Sequence, residues 1–67
     1  MMVQVKNWKV KIYENGKRAY VRNNDWTYEA TIKIENVVGV VFLTSDDETF
    51  KKVPAYVKNF IKKEVVK

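Results

Sequence analysis

The sequence contains neither cysteine nor histidine. Without cysteine there are no disulfide bonds and no thiolate for metal binding or nucleophilic attack. Without histidine, the usual general base and the most common nitrogen ligand of metals are missing. The only two glycines, Gly16 and Gly39, are too few for a glycine-rich phosphate-binding loop. We therefore expect no catalytic residues, no enzyme activity, no cofactor or metal, and no small-molecule substrate.

Long apolar runs are also missing. No segment approaches the length of a membrane span, and the alternating start, residues 1–6, is too short for a signal peptide. These patterns predict a cytoplasmic protein without a membrane partner. The 67 residues, which no linker or repeat divides, predict one domain with a thin core.

Charge is zoned along the chain, whose formal net charge is +5. Residues 1–22 contain six cationic side chains and one acid, residues 23–50 one cation and six acids, and residues 51–67 six cations and one acid. The basic segments favour an acidic partner, while the solubility of a small domain is an equally good reason for its net charge.

The pair Asn15-Gly16 predicts a two-residue hairpin turn, because both residue types tolerate the positive φ angles of a type I′ turn. With these residues in the loop, Tyr13 faces Arg18, and the side chains of both strands alternate between two faces. The apolar face carries Trp8, Val10, Ile12, Ala19 and Val21. The opposite face carries Lys9, Lys11, Tyr13, Arg18, Tyr20 and Arg22.

The flanking segments extend the predicted sheet. The valines of residues 3–5 are out of phase with Trp8, so the first strand needs a bulge or bend near Lys6-Asn7. After a turn at residues 23–25, the alternating run 26–35 predicts a third strand. Its members on the apolar face are Trp26, Tyr28, Ala30, Ile32 and Ile34. Its members on the opposite face are Thr27, Glu29, Thr31, Lys33 and Glu35.

The last third of the chain predicts two more strands and a helix. A turn around Asn36 leads to the apolar run 37–43, which predicts a central strand covered on both faces. After a loop at residues 44–48, residues 49–53 are predicted to form a short strand, for which an edge position is one option. Pro54 suits the first position of a helix. The apolar stripe of this helix consists of Val53, Val57, Phe60, Ile61 and Val65.

The predicted fold class is α+β and mostly β. An antiparallel sheet over residues 1–53 is covered on its apolar face by an amphipathic helix over residues 54–66. Two architectures fit this pattern: an open five-stranded meander, or an SH3-like small barrel with a C-terminal helix. The tight hairpins and the apolar fourth strand favour the barrel.

The basic and aromatic side chains of the first hairpin are the candidate nucleic-acid-binding residues. Cations spaced along a surface can contact phosphates, and tyrosines between them can stack on bases. A solvated sheet face would have a similar composition. Glu29 and Glu35 of the third strand favour this second interpretation, and Arg18 and Glu29 are expected to be cross-strand partners. The candidate residues are Lys9, Lys11, Tyr13, Arg18, Tyr20 and Arg22.

Three other groups of residues have simpler explanations. Trp8 and Trp26 fall on the apolar face, which predicts a core role for both, although a shift in phase would expose either one for stacking. The lysines near the end of the helix suit its dipole. The acids Asp46–Glu48 lack the ligand spacing of a calcium loop and predict a solvated turn.

One family resemblance rests on the stretch Val38–Asp47, followed by a short strand, Pro54 and a helix. This order resembles the small, seven-kilodalton DNA-binding chromatin proteins of thermophilic archaea. The resemblance covers less than half of the chain and assigns no residue roles. It implies an SH3-like domain whose sheet binds DNA.

Two functional hypotheses follow. The first is a small nucleic-acid-binding module that contacts the backbone of DNA or RNA with little sequence specificity. The second is a protein-interaction module, such as a small regulator, an inhibitor or an assembly subunit, which includes a homodimer. Binding that weakens steeply with salt would distinguish the first from the second.

Overall fold

The computed structural model describes residues 2–66, which form five strands, a 3₁₀ helix and one α-helix. The strands lie in the sheet in chain order, and each is antiparallel to the next. The elements are β1 (Val3–Val5), β2 (Trp8–Tyr13), β3 (Arg18–Asn23), β4 (Glu29–Val37), β5 (Val40–Thr44), the 3₁₀ helix (Glu48–Lys52) and α1 (Ala55–Val66).

The predicted α+β class, with a five-stranded antiparallel meander and a C-terminal helix, is confirmed. Of the two predicted architectures the structure has the open one, because β1 and β5 lie at opposite edges of the sheet and do not pair. Closing a sheet requires a tilt and stagger that bring its edge strands together. Tight hairpins are compatible with both architectures, so they could not decide between them.

The register of the first hairpin agrees with the prediction. Tyr13 lies opposite Arg18, and the pairing continues along β2 and β3 without a slip. Asn15 and Gly16 have the positive φ angles of the predicted turn, 56° and 84°, but Glu14 also has a positive φ of 52°, so the turn takes in residues 14–17 rather than two residues alone. The backbone N–H of Lys17 closes this turn by donating to the carbonyl of Glu14 at 3.1 Å.

The core lies between one face of the sheet and α1, which packs across β2 and β5. The predicted helical stripe is confirmed for its members within α1, since Val57 and Ile61 are fully buried and Phe60 and Val65 pack against the core; Val53 is also buried but precedes the helix. No helix within residues 2–66 is long and apolar enough to cross a membrane. The buried apolar residues are Trp8, Val10, Ala19, Val21, Ala30, Ile32, Ile34, Val53, Val57 and Ile61.

The bulge or bend expected near Lys6-Asn7 is a tight turn. The chain reverses there, and Val5 pairs with Trp8 across the new hairpin. Lys6 enters the left-handed region with φ 53°. The reversal removes the phase conflict, because residues directly opposite each other in a sheet share a face. The valines of β1 therefore lie on the same face as Trp8.

The predicted central strand over residues 37–43 was wrong. β4 continues through Asn36 to Val37, the chain turns at Val38-Gly39, and β5 forms the edge of the sheet. The side chain of Asn36 accepts a hydrogen bond from the N–H of Gly39 at 3.1 Å, so it supports the turn from within the strand. One face of β5 remains in contact with solvent.

The predicted strand over residues 49–53 was also wrong, because residues 48–52 form the 3₁₀ helix. Beyond the end of β5, side chains complete the hydrogen bonds of β4. The Thr31 N–H donates to Asp47 Oδ2 at 2.8 Å, and Ser45 Oγ donates to the Thr31 carbonyl at 2.6 Å. The backbone N–H and carbonyl of Thr31 thus have hydrogen-bond partners without a further strand beside β4.

The turn at Val38 generates a stability prediction. Val38 is 97% exposed and has φ 51°, a conformation that strains a β-branched residue and that asparagine tolerates. We expect Val38→Asn to increase the free energy of unfolding by about 1 kcal/mol in urea titrations. As a control, Val40→Asn, which places asparagine within β5, should decrease it. A Val38→Asn protein that is no more stable than the wild type would contradict the turn geometry.

Candidate nucleic-acid interface

On the sheet face opposite α1, called the outer face, the side chains of β2 to β5 are exposed or half-buried, apart from Arg22. The β2–β3 register sets three cross-strand pairs on it. Strand alternation therefore brings all six predicted residues together on this face. Their role in binding stays a prediction. The pairs are Lys9 with Arg22, Lys11 with Tyr20, and Tyr13 with Arg18.

β4 adds a third row of side chains to the outer face. Arg18 lies opposite Lys33, and Arg22 lies opposite Glu29. The expected cross-strand pair of Arg18 with Glu29 was therefore wrong. Lys33 was absent from the predicted binding residues, although the alternation of residues 26–35 had placed it on this face. Glu29 and Glu35 of the same strand had favoured the solvated interpretation.

Arg18 is engaged by an acid of the hairpin loop. Its Nε lies 2.9 Å from Glu14 Oε2, and both side chains are about half exposed. Exposed pairs of this kind contribute little to stability, since water and salt screen them. The pair nevertheless offsets the charge of Arg18 at this end of the outer face.

Tyr20 occupies the middle of the outer face, where its hydroxyl donates a hydrogen bond to Glu29 Oε2 at 2.7 Å. This bond raises the pKa of Tyr20 above the ordinary value of 10.0, and desolvation and the negative charge of Glu29 act in the same direction. The ring is therefore neutral at physiological pH. Glu29 also fixes the direction in which the hydroxyl points.

Arg22 is 9% exposed, unlike the other cations of the outer face. Its guanidinium carbon lies 3.8 Å from the ring centroid of Trp26, and Nη1 donates to the Asn23 carbonyl at 3.2 Å. A guanidinium over an indole ring is a favourable cation–π contact. In this conformation Arg22 supports the Trp26 ring rather than facing solvent.

The predicted core position of Trp26 was wrong: the side chain is 64% exposed, whereas Trp8 is 6% exposed and lies in the core as expected. The reason is a loop over residues 24–28. Asn23 closes it, because its N–H donates to the Tyr28 carbonyl at 3.1 Å and its Oδ1 accepts from the Tyr28 N–H at 2.8 Å. Strand alternation therefore starts at Glu29, so Tyr28 also lies outside the core.

Asp25 organises the centre of this loop. One of its carboxylate oxygens accepts from the hydroxyl of Thr27 at 2.5 Å and from the Thr27 N–H at 3.0 Å. The two bonds favour the ionised form and hold the pKa of Asp25 below its ordinary value. The loop is thus closed by two local systems of hydrogen bonds, one from Asn23 and one from Asp25.

The β4–β5 side of the outer face differs in chemistry from the basic β2–β3 side. Phe42 of β5 lies beside Glu35, and Val40 lies beside Val37 at the hairpin end. Phe42 is 52% exposed. A groove over β3 to β5 combines cations with acids. Within residues 2–66 no group of acids is placed to hold a metal ion. The groove is lined by Arg18, Thr31, Lys33, Glu35, Thr44, Ser45, Asp46 and Asp47.

No protein-family model, curated protein or solved structure matches this chain. The resemblance to the archaeal chromatin proteins stays a prediction. Function is therefore inferred from the chemistry of the surface.

The contact between Tyr20 and Glu29 generates a pH prediction. Because the folded-state pKa of Tyr20 is raised, the contact stabilises the fold below the ordinary tyrosine pKa and is lost as the pH rises through the raised value. Glu29→Gln should lower the pKa of Tyr20, as followed by the ring signals in an NMR titration, with Tyr20→Phe to identify them. Glu35→Gln, on the same strand, should leave it unchanged. An equal effect of both variants would rule out the specific contact.

Proposed function

We propose that the protein binds the backbone of DNA or RNA through the outer face, with weak sequence specificity. The observation that supports this most is that Lys9, Lys11 and Lys33 share an uncovered face with Tyr13 and Tyr20. None of the three lysines has an ion pair within residues 2–66. Their charges are therefore available to an external anion.

The binding mechanism would have two parts. Lysines that neutralise phosphates release condensed counterions, which provides most of the affinity in nonspecific nucleic-acid binding. Tyr13 and Tyr20 present aromatic rings between these cations, where sugars or bases can pack against them. Neither contact reads the edges of base pairs, so the arrangement favours weak specificity.

Acidic residues limit where an anion would lie. Glu29 and Glu35 extend along β4, and Asp46 and Asp47 line the groove beyond it. Lys9 and Lys11 of β2 lie on the other side of β3 from these acids. We therefore expect the phosphate backbone to run along β2 and β3, to reach Lys33 of β4 where it lies opposite Arg18, and to avoid the β5 side of the face.

Charge reversal tests this placement. The double variant Lys9→Glu/Lys11→Glu should weaken binding to DNA on the order of 100-fold and reduce the salt slope by about 2. The matched control, Lys62→Glu/Lys63→Glu, changes the net charge equally on exposed positions of α1. Fluorescence anisotropy of labelled DNA over a range of salt concentrations measures both quantities.

The control variant should retain most of the affinity, because its lysines are not on the outer face. Equal weakening by the two double variants would show that only net charge matters and would exclude a defined interface. Absence of binding by the wild-type protein at low salt would exclude the function itself.

A second candidate function, protein interaction, is favoured by the edge strand β5. This strand contains no charged residue and no proline, the features that usually protect an exposed edge from pairing. Its turn has two residues, so the backbone groups of Val40, Phe42 and Thr44 bond to β4. The backbone N–H and C=O groups of Val41 and Leu43 consequently point towards the open edge of the sheet.

The occupant that we propose for this edge is a second copy of the chain. Antiparallel pairing of two β5 strands centred on Phe42 would match Val41 of each with Leu43 of the other. The two Phe42 rings would then form a cross-strand aromatic pair without opposing charges. Five residues a side bury less than the roughly 800 Å² of a standard interface, so the dimer would be reversible.

Substitution of Phe42 tests self-pairing. The wild-type protein should dimerise with increasing concentration in sedimentation equilibrium, and Phe42→Lys should remain monomeric because lysine blocks an edge strand. Val66→Lys, which replaces an exposed valine of α1, should dimerise as the wild type does. A monomeric wild type at about millimolar concentration, or a Phe42→Lys protein that still dimerises, would refute this candidate.

A further inference from the structure

Trp26 is a large aromatic side chain that the fold exposes. The core is complete without it, and it projects from the loop that joins β3 to β4. Its ring packs on Arg22, whose neighbour across the hairpin is Lys9. The indole therefore lies at the edge of the basic area proposed to bind phosphates.

The backbone of Trp26 is held in an unfavourable conformation. Its φ angle is 64°, in the left-handed region that bulky residues avoid. The Trp26 N–H donates to the Asn23 carbonyl at 3.2 Å, and the bonds of Asp25 to Thr27 lie on either side of it in the chain. Strained residues of this kind persist where the surroundings fix them, and they are concentrated at binding sites.

One cation–π contact supports the ring. The guanidinium of Arg22 lies against one face of the indole at 3.8 Å, while Trp26 as a whole remains 64% exposed. Because Arg22 covers one face and the residue is 64% exposed, the other face is the one that a ligand can reach. Arg22 acts here as a positioning residue, which explains why a cation of the outer face is buried.

We propose that the open face of Trp26 is a stacking site for an unpaired nucleobase. This inference rests on the proposed function and specifies its ligand as single-stranded DNA or RNA. An indole stacks on the flat surface of any base, and bases within a duplex offer no such surface. Lys9, one strand away from Arg22, is placed to contact an adjoining phosphate.

Fluorescence can distinguish the two tryptophans, because Trp8 is buried and Trp26 is exposed. Trp8 therefore serves as the internal reference. An oligothymidylate of about eight nucleotides should quench part of the intrinsic fluorescence of the wild-type protein. Trp26→Phe should bind the oligomer without that quenching. Trp26→Ala should bind it roughly 5- to 150-fold more weakly, while its affinity for a duplex should stay close to that of the wild type.

Three results would overturn the stacking site. They are an unchanged affinity of Trp26→Ala for the oligomer, an equal loss for oligomer and duplex, and the same quenching by polyglutamate. Each leaves the proposed function standing if the salt-dependent affinity of the wild type for nucleic acid persists. Absence of that affinity would remove the proposed function and the stacking site together. Backbone amide spectra of Trp26→Phe and Trp26→Ala identify any change in β2 and β3.

Discussion

A single helix of twelve residues covers the apolar face of a five-stranded sheet, and much of the structure follows from this constraint. The helix packs across β2 and β5, so one layer of apolar side chains between helix and sheet forms the core. Within residues 2–66 no second layer covers the outer face, so most of its side chains are in contact with solvent. The polar character of that face needs no functional explanation. The features that do need one are the unpaired lysines of β2, the uncharged β5 edge and the exposed Trp26.

The sequence predicted those parts of the fold that local patterns determine. The register of the first hairpin followed from Asn15-Gly16, and the buried side of α1 followed from helical periodicity. The errors arose where loop residues continue a strand pattern. Trp26 keeps the alternation of β4 but lies in a loop closed by hydrogen bonds of Asn23. The turn at Val38-Gly39 was hidden because valine is rare in a left-handed conformation.

The candidate site was predictable only in part, for a related reason. A period of two is sufficient to place six side chains on one face, and the structure agrees. Which of those side chains are already engaged depends on rotamers and on the register between β3 and β4. The contacts of Arg18 with Glu14, of Tyr20 with Glu29 and of Arg22 with Trp26 are of this kind. The two proposed functions use different surfaces, since nucleic acid would contact β2 and β3 and a second copy would pair with β5. Pairing through β5 would place two outer faces side by side in one continuous sheet.

The strand order has a consequence for how the chain folds. Every strand pairs only with its neighbours in sequence, so no long loop must close before the sheet forms, and folding should be fast. Speed matters most for residues 37–44, an apolar and uncharged segment of the type that forms intermolecular cross-β structure when unfolded. Its two-residue turn allows pairing with β4 within about 1–10 μs. The three acids that follow at residues 46–48 repel other copies of the unfolded segment.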